Sequence, residues 1–296
     1  MGLSGFVSKR CRTFWKATLV RVSAYIALPG FLLALASVTG CLESTLFYHP
    51  GSNTPDAPRG IEEVWIDGPD GSRIHGWFIP ARGLEANEPV PAVLHLHGNA
   101  GTMNEHLSTV DWLRDAGVHV LMFDYRGYGR SDGGRLLRAN LIADGHAALD
   151  YLLTRSDVDP ERIGLYGWSM GGVIGLAVSS EREEIDAVVA AAAFSSWKRV
   201  AGDYVPILGQ LLIPGGFNAE DSVLALGTRP LLLVHGTSDG IVRSYHSERL
   251  RDAATDAGVR VELVLLPGYD HADWMTSRTA TEAIRGFFQR ELVEGE

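Results

Sequence analysis

Apolar residues fall into short, regularly spaced blocks along most of this chain. Ala92–His97, His119–Asp124, Arg162–Tyr166, Ala187–Ala193, Leu231–His235 and Val261–Leu266 are runs of five to seven residues with little alternation, the pattern of strands buried on both faces of a parallel sheet. Helix-like stretches lie between them, near 103–116, 138–155, 170–182, 244–257 and 273–290. Ahead of these blocks, Glu63–Asp67 and Arg73–Ile79 flank Gly68-Pro69-Asp70-Gly71, which reads as a hairpin by its turn chemistry. An antiparallel start followed by at least five strand–helix units predicts an α/β domain over 60–296, built on a mostly parallel, doubly wound sheet of eight strands. Ser195–Arg229 breaks the alternation: 35 residues carry Pro206, Pro214 and Gly215-Gly216. It is expected to form a small insertion near the substrate.

The first 41 residues follow a different rule. Lys9, Arg10, Arg12, Lys16 and Arg21 precede a 17-residue apolar run, Val22–Val38, interrupted by Pro29, and no acidic residue occurs before Glu43. That layout is an export signal or a signal anchor, which keeps the basic end in the cytoplasm and sends the domain out. Val38-Thr39-Gly40-Cys41 resembles a bacterial lipobox, so Cys41 is a candidate for lipidation, and two or more acyl chains anchor a soluble domain stably. The expectation is an exported, membrane-anchored lipoprotein, facing the periplasm or the cell exterior. Residues 42–59 are rich in proline and turn formers and read as a linker.

Composition narrows the field. With 296 residues, 46% hydrophobic and 21% charged, the chain is an ordinary globular protein. Its net charge of −10 leaves no basic stripe for nucleic acid. The two cysteines, Cys11 and Cys41, cannot build a disulfide framework or a thiolate metal site in the folded part. Nothing in the sequence fixes an oligomeric state.

Ligands of open α/β sheets sit beyond the carboxyl ends of the strands, and that is where the candidate chemistry falls. Gly167-Trp168-Ser169-Met170-Gly171 has the form G-x-S-x-G, follows a strand run and opens a small-residue helix. That context makes Ser169 the candidate nucleophile, its hydroxyl held out on a tight strand-to-helix turn. Gly129-Arg130-Ser131-Asp132-Gly133 also fits the form, but no apolar helix follows it, and Ser131 reads as a loop residue. A serine needs a base, and the base needs an orienting acid. Asp239 and His271 follow the next two strand runs, in the chain order serine, acid, histidine.

Neighbouring residues take lesser parts. Asp270 and Asp273 flank His271 and are read as solvent-facing or capping groups, with Asp273 a candidate N-cap for the last helix. His235 is expected to hydrogen-bond the backbone of the acid loop. His95 and His97 share a strand face, yet no third ligand shares their spacing, so a zinc site is disfavoured. In His97-Gly98-Asn99-Ala100-Gly101 the Asn99 N–H is the candidate oxyanion donor, paired with the N–H of Met170. Asp124 and Arg126 are expected to pair and hold the loop Phe123–Ser131.

With these residues in view, the chain resembles the serine hydrolases of the α/β-hydrolase superfamily over roughly residues 60–290. Its H-G-N-A-G turn, D-Y-R-G-Y-G-x-S loop, G-W-S-M-G-G elbow, H-G-T-S-D segment and G-Y-D-H-A-D segment are similar to those of a branch of small hydrolases, often membrane-tethered. The resemblance implies esterase, thioesterase or depalmitoylase-like activity on a small acyl substrate, with no metal or organic cofactor. Trp168, bulky at the first variable elbow position, departs from the pattern and bears on the shape of the acyl pocket. Two other readings stand beside this one. One is a serine aminopeptidase of the same triad order, and the other is a non-catalytic, membrane-tethered binding protein that keeps the fold.

Overall fold

The computed structural model describes residues 43–83 and 89–295. The basic and apolar N-terminal segment and Cys41 lie outside the described residues. Among the described residues no helix is long and apolar enough to cross a membrane.

Eight strands form the main sheet: β1 (Glu62–Asp67), β2 (Arg73–Ile79), β3 (Val90–Leu96), β4 (His119–Phe123), β5 (Val158–Trp168), β6 (Ile185–Ala191), β7 (Leu231–Gly236) and β8 (Val261–Leu266). Their spatial order is β1-β2-β4-β3-β5-β6-β7-β8. β2 runs antiparallel to both of its neighbours, and every other pairing is parallel. The hairpin and the doubly wound sheet are therefore those expected from the apolar blocks.

The buried stretches of the central strands are largely apolar because both faces are covered. Leu94, Leu121 and Phe123 pack with Leu141 and Leu149 of α1 (Arg138–Leu153), with Val173 of α2 (Met170–Glu181) and with Leu250 of α6 (Tyr245–Asp256). The alternate residues Val93, Val120 and Met122 face the other way, onto Ile284, Phe287 and Phe288 of α7 (Arg278–Phe288). The 195–229 insertion folds as three short helices, α3 (Trp197–Tyr204), α4 (Leu208–Leu212) and α5 (Ala219–Ser222). Gly209 lets α3 and α4 approach closely, since a Cβ there would meet the Ala201 carbonyl.

Four expectations change. Residues 103–116 form two 3₁₀ turns, Met103–Thr109 and Asp111–Ala116, rather than one helix. Thr109 Oγ1 donates to the His106 carbonyl at 2.7 Å, and Val110 at φ −135° separates the turns. The last helix is capped by Ser277, whose Oγ accepts from Ala280 N, and Asp273 instead opens a separate 3₁₀ turn. Asp124 and Arg126 do not pair with each other. Arg126 makes bidentate contact with Asp144 of α1 (2.6–3.1 Å) and reaches Asp70, whereas Asp124 accepts from Thr54 Oγ1 and Met103 N.

The segment read as a linker is itself packed on the domain. Glu43 is buried against Arg138 (2.7 and 2.8 Å) and accepts from Tyr48 O–H. His49 and Pro50 pair in parallel with Ala100 and Gly101, which ties this segment to the Gly98–Gly101 turn.

Candidate active site

Ser169 sits at the sharp junction of β5 and α2, with φ 54° and ψ −119°. A non-glycine residue rarely adopts positive φ, so the surrounding structure must enforce it. Close approach on both sides does so: a Cβ on Gly167 would strike the backbone of Gly171, and one on Gly171 would strike the carbonyls of Leu96 and His97. Tight packing at this elbow is what the small residues of the motif provide.

The three side chains singled out by chain order meet at the carboxyl edge of the sheet. His271 Nε2 lies 3.0 Å from Ser169 Oγ, and its Nδ1 lies 2.7 Å from Asp239 Oδ2. All three are buried. A carboxylate only accepts, so Nδ1 carries the proton and Nε2 is left as the acceptor for the serine hydroxyl.

Asp239 is held as an anion. Burial alone would raise its carboxyl, but hydrogen bonds from His235 and His271, the attraction of His271 and the Val242 N–H outweigh that and pull it well below the usual carboxylate range. Its Oδ1 accepts from the N–H groups of Ile241 and Val242 at 2.9 and 2.7 Å. His235 Nε2 bonds the Val242 carbonyl at 2.7 Å, the backbone contact expected of it, and its Nδ1 meets Ser247 Oγ at 2.6 Å. Asp270 braces the two loops by accepting from Gly240 N and His271 N.

Asn99 and Met170 both line the cavity in front of Ser169. The carbonyl of Asn99 is fixed by His49 N and Tyr128 O–H, each at 2.9 Å. Met170 is the first residue of α2, so its N–H has no carbonyl one turn back and is open to a ligand. Ser131, the competing serine, is committed elsewhere: its Oγ donates to the Asp124 carbonyl at 2.6 Å and accepts from His75 N at 2.8 Å.

A cavity of about 870 Å³ opens beside Ser169. Its walls are mostly apolar, from Phe194, Val200, Leu208, Ile213 and Met275 among others. Three contributions to it carried no signal in the motifs. Leu46, Phe47 and His49 reach it from the segment read as a linker, where the apolar triplet Leu46-Phe47-Tyr48 is the only hint of packing. Trp168 also lines it, with its ring 5.3 Å from His271 and 4.7 Å from His106. His106 in turn packs against both His95 and His97. Among the described residues no group of three or more His, Cys, Asp or Glu is arranged to hold a metal.

A second Ser–His–Asp chain lies nearby. Ser195 Oγ is 3.0 Å from His246 Nδ1, and His246 Nε2 is 3.1 Å from Asp203 Oδ2. Ser195 and His246 are fully buried, so this chain ties α3 to α6 with no route for a substrate.

The prolyl oligopeptidase (peptidase S9) family model matches residues 105–294. The chain belongs to the prolyl oligopeptidase family. The Escherichia coli K12 protein YfhR is 36% identical over 260 residues, covering 84% of this chain and 89% of that one. The esterase Pf2001 of Pyrococcus furiosus superposes with a TM-score of 0.68 at 20% identity, over 83% of this chain and 98% of that one. The acylaminoacyl peptidase of Pyrococcus horikoshii gives 0.65 at 17% identity, over 80% of this chain and 42% of that one. The architecture is the α/β-hydrolase fold, and this member of the prolyl oligopeptidase family is a hydrolase.

Proposed function

We propose that this prolyl oligopeptidase family member is a serine hydrolase that cleaves a carboxylic ester or thioester through an acyl-enzyme. The observation that carries the reading is the unbroken line from Ser169 Oγ through His271 to Asp239, at 3.0 and 2.7 Å, opening on a largely apolar cavity. Ser169 Oγ attacks the carbonyl carbon as its proton passes to His271 Nε2. Asp239 holds the ring in the required tautomer and stabilises the imidazolium. The N–H groups of Asn99 and Met170 receive the oxyanion, each donor contributing about 3 kcal/mol to the tetrahedral state. Collapse of that state expels the alcohol or thiol with the proton from His271. A water that loses its proton to His271 then hydrolyses the acyl-serine.

The test is labelling by a fluorophosphonate and burst acylation by a p-nitrophenyl ester. Both are expected in the parent protein and lost in Ser169→Ala, and labelling that survives the substitution overturns the assignment. A protein inert in both assays would point to the binding role instead.

The same triad could open an amide, and the structural likeness to an acylaminoacyl peptidase favours an aminopeptidase as the second reading. Against it stand the apolar cavity and the small size of the insertion, 35 residues. Turnover of amino-acid amides against short acyl esters separates the two.

We also propose that the domain is exported and held at the membrane through its N-terminal segment, with Cys41 lipidated. The order of basic residues, apolar run and Val38-Thr39-Gly40-Cys41 supports this. Mass spectrometry of the membrane-derived protein tests it, and an unmodified, uncleaved N-terminus would count against lipidation.

A further inference from the structure

The helices that roof the cavity carry a second apolar face, turned to solvent. Val200, Ala201, Val205, Leu208 and Leu212 of the α3–α4 segment line the cavity. Ile207 and Leu211 do not line it, and they are 73% and 75% exposed. Tyr204, Val205 and Leu208 are each more than half exposed while also lining the cavity, so apolar surface continues from the wall, over the mouth, to the outside of the cap. Ile207 holds its outward place at φ 66°, a region that β-branched residues seldom occupy. A continuous apolar strip on a globular domain marks an interaction surface.

The direction from which the chain arrives says what covers it. Leu46 lines the same mouth and is half exposed there. It lies five positions after Cys41 and eight after Val38, distances that an extended chain spans in at most about 18 and 28 Å respectively. An anchor at either position keeps the mouth within reach of the bilayer surface. Two copies joined strip to strip would instead close both mouths.

We propose that the strip formed by Tyr204, Ile207, Leu208 and Leu211, with Leu46 beside it, seats in the interfacial layer of the bilayer, so that the cavity opens onto lipid. The acyl chain that fills the cavity is then drawn from the membrane rather than from water. This rests on the readings of Ser169 as nucleophile and of the N-terminal segment as anchor. Apolar side chains at such a depth bury themselves at the headgroup–acyl boundary, and an acidic side chain there is unfavourable.

The experiment uses the full chain in phosphatidylcholine vesicles and two substrates, water-soluble p-nitrophenyl butyrate and 4-methylumbelliferyl palmitate dissolved in the bilayer. The double variant Ile207→Glu, Leu211→Glu is expected to lose at least about tenfold in kcat/KM on the bilayer-borne ester, with the soluble ester changed less than about twofold. Equal losses on both substrates, or no loss on either, overturn the proposal. A second measurement needs no catalysis. In a Ser169→Ala, Cys11→Ser chain, a nitrobenzoxadiazole fluorophore on Leu211→Cys is expected to be quenched by doxyl-labelled phosphatidylcholine. The same fluorophore on Arg251→Cys of α6 is not, and the Ser169→Ala, Cys11→Ser chain without either added cysteine supplies the background. Absence of quenching at 211 overturns the docking, whereas failure of fluorophosphonate labelling in the parent protein overturns only the reading of Ser169.

Discussion

His235 Nε2 lies 3.2 Å from Asp239 Oδ2, the same oxygen that holds His271. One carboxylate therefore faces two imidazoles, one fixed in the fold and one set toward the serine. The fixed one is bound to the Val242 carbonyl and Ser247, so it keeps the acid loop in place without competing for the proton that matters to the reaction.

Asp239→Asn is expected to lower kcat by about a thousandfold or more, because the amide can present an N–H to His271 and favour the wrong tautomer. It should also destabilise the fold. A carboxyl held below its ordinary value contributes stability above the unfolded value of about 3.9, and that contribution disappears as pH falls through the folded value. Urea melts of parent and variant should accordingly differ most near neutrality and converge only in strong acid. A gap that stays constant down to pH 2 would contradict this.

Acid should weaken the protein through its buried histidines. Burial pushes His95 down to about 3 and lowers His97 and His106 as well. An unfolded histidine binds a proton near pH 6.5, so below that pH the unfolded chain takes up protons that the folded chain refuses. Stability from these three residues is complete above about pH 6.5 and falls as acid is added, by up to about 1.4 kcal/mol per pH unit for His95. Urea midpoints measured from pH 7.5 to 5 should drop steeply, and a flat profile would refute the neutral state of this cluster.

Asp144→Ala should be far more damaging than Asp70→Ala, although both carboxylates bind Arg126. Asp144 is fully buried and Arg126 nearly so, whereas the side chain of Asp70 is half exposed. Leaving the guanidinium buried without Asp144 is expected to cost about 3–5 kcal/mol, against about 1 kcal/mol or less for the exposed partner. Denaturant unfolding of the two variants reads the difference directly.

Gly171→Ala should separate the two proposed oxyanion donors, the N–H groups of Asn99 and Met170. The new Cβ would press on the carbonyls of Leu96 and His97, forcing the start of α2, with the Met170 N–H, away from the Asn99 turn. Overpacking of this kind costs about 1–3 kcal/mol of stability, and loss of one donor about 100- to 1,000-fold in kcat. A variant that keeps the parent kcat on a soluble ester would show that Met170 N–H is not a donor.

The strands and the meeting of Ser169, Asp239 and His271 were legible because each rests on a local signal. A buried parallel strand must be apolar on both faces, and Ser169, Asp239 and His271 each stand just beyond such a run. Partner choice was not legible in the same way. Arg126 meets Asp144 across 18 residues and not Asp124 two positions away, because only the packed α1 brings that carboxylate near. Composition also fails to distinguish a turn-rich tether from a turn-rich segment that docks, which is why it does not point to Leu46, Phe47 and His49 in the cavity wall. At 103–116, Thr109 bonding the carbonyl of His106 redirected a stretch whose composition suits a regular helix.

The pairing of His49 and Pro50 with Ala100 and Gly101 has a practical and mechanical corollary. His49 N holds the Asn99 carbonyl and Gly51 N holds that of Gly101, so the segment through residues 49–51 grips the peptide units on either side of Ala100. A shortened form beginning near residue 60 would forfeit that grip together with the part of the cavity wall that Leu46, Phe47 and His49 supply. Conversely, a pull on residues 49–51 would act first on the turn that carries Asn99, the proposed oxyanion donor.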